Sequence, residues 1–328
     1  MLILRLFFLE RTFLPRKEVT TMKPMTISLE GTRGSIPCPT QGSYVTSKYG
    51  GNTTCVYIEG PKGNHHIVDM GSGMRILGNK LFAKGFAPDA SGRAKGRANI
   101  YQSHLHHDHT QGLGFFGPIF IPGNQFTFYS GEFELPLEDA LRQIYSKPWF
   151  PITLDEMAAE KRFKELREGR SYEIDDLEVS IMSSKHPDKC YAYRFTREGS
   201  KRDHSFVFLV DNEHDPKSTK RKLTSLDKEV VRFMRDADLV LFDSAYTPQE
   251  YAGEVGPSRE GWGHSTYQMN VIRAAEANVG HLLLTHHDPS HDDKTMDNIG
   301  ALAEEYAVNI GATEMTVEVA QEGNAYEV

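Results

Sequence analysis

From Met25 onward, short apolar runs bounded by Gly, Pro, Asn or Asp alternate with amphipathic stretches. The runs rich in Val, Ile, Leu, Phe and Tyr predict strands at 26–30, 54–59, 65–69, 98–103, 177–183, 190–196, 205–211, 239–243 and 281–285, with a further edge strand at 315–319. Apolar residues at helical spacing predict helices at 225–237 and 266–278, and less regular ones at 74–84, 134–145 and 295–306. Glycine and proline are dense at 31–51 and again at 112–123, which predicts loops running over a rim formed by strand ends. No repeat, low-complexity tract or interdomain linker is visible, so one domain over 25–328 is expected. Two sheets with helices outside accommodate this order, an α/β arrangement.

The segment 1–24 reads as an extension. Its apolar run from Leu2 to Leu9 is interrupted by Arg5 and is far shorter than the roughly 18 apolar residues of a spanning helix. No small-residue cleavage site follows it, which argues against a signal peptide. Two readings remain for it, a disordered tail or an upstream start with Met22 or Met25 as the true first residue.

Composition then narrows the function. Lys and Arg number 37 against 45 Asp and Glu, a formal charge of -8 that disfavours non-specific coating of nucleic acid or acidic membrane. Cys38, Cys55 and Cys190 are far apart, which indicates neither a disulfide framework nor a thiolate knuckle and fits a cytoplasmic protein. Fourteen histidines are the unusual feature, because imidazole is the commonest metal ligand.

The strongest chemical signal is Ser103-His104-Leu105-His106-His107-Asp108-His109, directly after the strand at 98–103. On an extended chain residues i and i+2 project to one side, so His104 and His106 can grip one cation. Asp108 and His109, where the chain turns toward Gly112, can face a second.

This HxHxDH motif resembles that of the metallo-β-lactamase superfamily, and further matches follow in chain order. His186 in Ser184-Lys185-His186-Pro187, Asp211 at the end of Phe206-Val207-Phe208-Leu209-Val210, and His286 after Leu282-Leu283-Leu284-Thr285 resemble the family's remaining ligands. The resemblance implies a four-layer αββα sandwich. It also implies one metal on His104, His106 and His186, another on Asp108, His109 and His286, and Asp211 bridging both. His287 is adjacent to His286, and the register between them stays open. His106 stands where flavo-diiron relatives carry Glu, and this imidazole-rich set suits two zinc ions, with manganese the alternative. Asp69 in Val68-Asp69-Met70-Gly71 matches the family's aspartate below the metals, which orients a ligand histidine; stabilising the glycine turn is the other reading.

Gly261-Trp262-Gly263-His264-Ser265-Thr266 resembles the GHST element of the ribonuclease Z and phosphodiesterase branch. There the histidine is paired with an acid and serves the scissile phosphate, and Asp243 stands where the family often has Glu. The alternative for His264 is a neighbour of the helix cap at Ser265 or Thr266. The mechanism so implied is attack by a hydroxide formed between the metals, with Asp108, His264 and Asp243 catalytic. The short stretch from Pro187 to Val210 leaves no room for the arm with which ribonuclease Z holds transfer RNA. A small phosphodiester such as a cyclic nucleotide is therefore the expected substrate. Stable nucleic-acid or membrane binding is not expected, and homodimerisation rests on family analogy alone. The aromatics between Phe115 and Phe150 suit either a lid that stacks on a base or core packing. The competing functions are a ribonuclease Z-like RNA endonuclease, an ester, thioester or lactam hydrolase, and a non-catalytic metal-binding sensor or subunit.

Overall fold

The computed structural model describes residues 23–328, so the expectation for 1–24 lies almost wholly outside the described residues. Two seven-stranded sheets face each other. The first contains β1 (Thr26–Gly31), β2 (Cys55–Glu59), β3 (His65–Val68), β4 (Arg97–Gln102), β5 (Gln125–Ser130) and β6 (Glu160–Glu165), in that spatial order, with β14 (Ala325–Glu327) outside β1. The second runs β7 (Ser171–Ile174), β8 (Leu177–Ser183), β9 (Tyr191–Arg197), β10 (His204–Leu209), β11 (Leu239–Asp243), β12 (His281–Thr285), β13 (Thr316–Val319). In both sheets the first four strands are antiparallel and the rest continue parallel from the fourth.

Parity along β10, β11 and β12 shows why these strands read as continuous apolar runs. Phe206, Phe208, Leu239, Leu241 and Leu283 face the core between the sheets, while Val207, Leu209, Val240, Phe242, Leu282 and Leu284 face the outer helices. A parallel sheet covered on both faces needs apolar residues at every position. The outer cover of the second sheet is α4 (Ser225–Met234), α6 (Tyr267–Glu276) and α7 (Asp293–Ile310), contributing Val230, Val271 and Ile299. On the first sheet α1 (Met74–Leu81) and α3 (Leu137–Ile144) bury Leu77 and Leu141. These layers form the expected αββα sandwich. Two short helices, α2 (His107–Thr110) and α5 (Pro248–Ala252), sit in rim loops.

The aromatic stretch is mostly core. Phe126 and Phe128 are buried on β5, and Phe116, Phe133 and Tyr145 are buried beside it, leaving Phe115 and Trp149 exposed. No helix among the described residues is long and apolar enough to cross a membrane.

Candidate metal centre

The parallel strands of both sheets end on one rim, where the backbone turns sharply. Four of the non-glycine residues with left-handed φ stand there: Ser35 (64°), Asp69 (61°), Asp211 (57°) and His286 (61°). Such a conformation costs an ordinary side chain of the order of 1 kcal/mol and persists where packing and hydrogen bonds over-determine it. Here it turns the Asp211 and His286 side chains toward a common point, puts Asp69 behind the His109 ring and aims the Ser35 amide at Asp108.

At that point Nε2 of His104, Nε2 of His186 and one nitrogen of His106 meet one oxygen of Asp211. His104 Nε2 and His186 Nε2 lie 3.4 and 3.9 Å from Asp211 Oδ2, and His106 Nδ1 is 3.2 Å from His186 Nε2. The other oxygen, Oδ1, lies 3.1 Å from His286 Nε2 and 3.4 Å from His109 Nε2. Asp108 Oδ2 completes this second group, 3.1 Å from His109 Nε2 and 3.3 Å from His286 Nε2. Asp211 thus spans two donor sets, one of His104, His106 and His186 and one of Asp108, His109 and His286, each with its ligand atoms within 4.8 Å of one another. His287 faces away, its Nε2–H donating to the Ala320 carbonyl at 2.8 Å.

The donor set fits divalent cations. His104 Nε2, His109 Nε2 and Asp211 Oδ1 are buried without a hydrogen-bond partner, an arrangement that is costly unless a cation faces them. Four carboxylates, Asp69, Asp108, Asp211 and Asp243, are buried together with the imidazoles. Burial pushes His104 well below the ordinary imidazole value, which keeps its lone pair free. Burial opposes ionisation of Asp108 and Asp211, yet the neighbouring histidines outweigh it and hold both carboxyls well below the usual range. Mixed imidazole and carboxylate donors suit zinc or manganese rather than calcium or magnesium.

Several ligand groups are held from behind, whereas His286 Nδ1 is without a hydrogen-bond partner among the described residues. Asp69 Oδ2 accepts from His109 Nδ1–H at 2.6 Å and from the Ser103 hydroxyl at 2.7 Å, and Oδ1 accepts from the Ser103 amide at 2.8 Å. Asp108 Oδ2 accepts from the Ser35 amide at 2.8 Å. Two glycines let the chain approach closely: a Cβ at Gly34 would collide with the His286 ring, and one at Gly263 with the His186 ring.

The family model described as the beta-lactamase superfamily domain matches residues 83–287, which takes in every residue of both donor sets. The chain belongs to this superfamily. Its fold is that of the metallo-β-lactamase fold protein YhfI from Bacillus subtilis, at 19% identity, TM-score 0.62, and 93% of this chain against 100% of that one. A diphosphatase from the PhnP family aligns at 17% identity, TM-score 0.62, and 93% against 98% of the two chains. Unliganded yeast PDE1 aligns at 15% identity, TM-score 0.63, and 94% against 100%. No curated protein sequence matches the chain.

Beside the two donor sets stands His264, its Nδ1 2.8 Å from Asp243 Oδ2. Its ring stacks on that of His286 at 4.7 Å between centroids and meets that of His186 edge-on at 5.5 Å. It therefore straddles both donor sets. Burial works against protonation of His264, but Asp243, with Asp211 and Asp108 behind it, lifts its pKa to about 9. Asp243 accepts from the Asn212 amide at 3.2 Å and the Ala245 amide at 3.1 Å.

Sequence reasoning passed over the network beneath this pair. Arg273 on α6 is fully buried and donates to Asn212 Oδ1 at 2.9 Å, Asp227 Oδ1 at 3.0 Å and Ser265 Oγ at 2.9 Å, and also to Asn270. Asn270 donates in turn to the Asp243 carbonyl and to Ser244 Oγ. Arg273 thereby fixes the residues next to Asp211, Asp243 and His264. The readable signal was a polar pair, Asn270 and Arg273, at i,i+3 on the face of α6 that also buries Val271 and Ala274.

Proposed function

We propose that the chain is a metal-dependent hydrolase that cleaves a small phosphodiester with two zinc ions, manganese being the alternative. His104, His106 and His186 would hold one ion, Asp108, His109 and His286 the other, and Asp211 both. A pair of such cations makes water nucleophilic near neutral pH and withdraws charge from phosphoryl oxygens.

The observation that carries the phosphodiester reading is the His264–Asp243 pair, which straddles both donor sets and resembles the paired histidine of the ribonuclease Z and phosphodiesterase branch. Asp243 takes the Nδ1–H of His264 and so fixes the ring with Nε2 toward the reaction space. Asp243 raises the affinity of His264 for a second proton. That proton stabilises the five-coordinate phosphorus and passes to the departing alkoxide, so no covalent intermediate with the protein is needed. Asp69 keeps Nδ1 of His109 protonated and its Nε2 free for a metal, and it holds the Ser103 hydroxyl that lies 3.0 Å from His104 Nδ1.

Zinc-loaded protein should hydrolyse bis-p-nitrophenyl phosphate and leave nitrocefin and thioesters untouched; the reverse pattern would replace the phosphodiester reading by acyl hydrolysis. His264→Ala should lower turnover about a hundredfold or more with two equivalents of zinc retained. Full activity in that variant would remove His264 from the chemistry.

A further inference from the structure

The loop between α5 and His264 carries a cation that the chemistry above does not use. Arg259 extends its guanidinium across two rings, 4.5 Å from the centroid of Trp262 and 5.7 Å from that of Tyr246. Its side chain donates no hydrogen bond and forms no ion pair among the described residues, and its Nε is buried without a partner. Glu260, next in the chain, points to solvent. An arginine stacked between aromatics loses most of its rotamer freedom yet keeps its planar edge of donors available, so the ordering cost of binding an oxyanion is met beforehand.

The loop is fastened to the metal centre. Glu213, two residues beyond Asp211, accepts from the Tyr251 hydroxyl at 2.6 Å and from the Gly261 amide at 2.8 Å. The Gly263 carbonyl accepts from His186 Nδ1–H at 3.3 Å. The Tyr246 ring that supports Arg259 meets the His264 ring at 5.9 Å. Trp262 is half exposed, two residues before His264, and Arg259 lies one ring, that of Tyr246, away from His264.

We propose that Arg259, held by Tyr246 and Trp262, binds a second anionic group of the substrate, a phosphate beyond the one that is cleaved. This rests on the phosphodiester reading and narrows it to phosphodiesters that carry a further phosphate. The Arg fork matches a phosphate edge with two hydrogen bonds. A guanidinium with no carboxylate partner among the described residues leaves that charge to be balanced by the ligand.

Two esters that differ only at this point test it: thymidine 5′-(p-nitrophenyl phosphate) and the same compound bearing a 3′-phosphate. Zinc-loaded protein should show a KM about tenfold or more lower for the phosphorylated ester. Arg259→Gln should cancel this preference, while Arg259→Lys, which keeps the charge, should retain part of it. Equal KM values for the two esters in the unaltered protein, or an undiminished preference in Arg259→Gln, would overturn the assignment. If neither ester is cleaved, the phosphodiester reading fails by itself, and calorimetry still decides the anion site. Thymidine 3′,5′-bisphosphate should then bind the zinc-loaded protein about tenfold more tightly than thymidine 5′-phosphate, with the difference lost in Arg259→Gln; no difference, or no binding, would overturn it.

Discussion

Asp69, Asp211 and His286 share a backbone twist that glycine, asparagine and aspartate adopt most readily, and it turns Asp211 and His286 toward one point and Asp69 to the back of the His109 ring. The contiguous motif from His104 to His109 was legible because an extended strand fixes where alternate residues project. The separation of His286 from His287 was not, since it depends on a single left-handed residue that no residue pattern announces. A consequence can be measured: Asp211→Gly and Asp211→Ala both delete the carboxylate, but only the alanine keeps the strain. The glycine variant should be the more stable of the two by about 1 kcal/mol in denaturant unfolding. Asp69 meets His109 directly and reaches His104 through the Ser103 hydroxyl. Asp69→Ala should weaken zinc binding roughly 10- to 100-fold, read by competition with a chelator. Unchanged affinity would reduce Asp69 to a turn residue.

Strands with an unbroken apolar pattern were legible, as was the edge strand β13, whereas β5, β6, β7 and β14 were not. β10, β11 and β12 are covered on both faces and therefore announce themselves as uninterrupted Val, Leu and Phe. β6 has the sequence Glu-Lys-Arg-Phe-Lys-Glu with only Lys161 and Phe163 half-buried, so its strand character comes from pairing with β5 rather than from burial. β7 and β14 are short edge strands of the same kind. In α6 the apolar face was visible, but the purpose of the buried Arg273 was not, because its partners lie on α4 and on the loops after β10 and β11. Arg273→Met leaves Asp227 buried without its cation and should cost about 3–5 kcal/mol in urea unfolding. Pairing it with Asp227→Leu should recover much of that stability. The double variant should still hydrolyse poorly, since Asn212 and Ser265 lose their anchor.

At the scale of the molecule the two sheets repeat one strand order. β3 with Asp69 and β10 with Asp211 hold equivalent places, as do β4 with His104 and β11 with Asp243. No repeat showed in the sequence because the correspondence is one of topology, carried by apolar residues that interchange freely. A groove of about 1340 Å³ lies at the opposite end of the second sheet among Arg194, Phe233, Ile272 and Met315, away from the donor sets. The donor sets gather instead at the strand ends.

Acid sensitivity is also a property of the whole fold. Burial, with Arg273 beside it, pushes His214 down to about 3, and burial beside Arg33 does the same to His287. Both stay neutral when folded, whereas the unfolded chain binds protons below about pH 6.5. Stability present above pH 6.5 is therefore lost as pH falls toward 3, at about 2 kcal/mol per histidine by pH 5. His214→Gln should flatten the fall in thermal midpoint over this window by the share of one proton.

β14 closes the first sheet by pairing with β1, whose Ile27 and Leu29 are fully buried. Ending the chain at Ala320 would bare the hydrogen-bonding edge of β1, and a bare edge recruits another strand. Light scattering of such a shortened protein should show growing assemblies, and the cure should be a lysine set into β1 in place of Ser28.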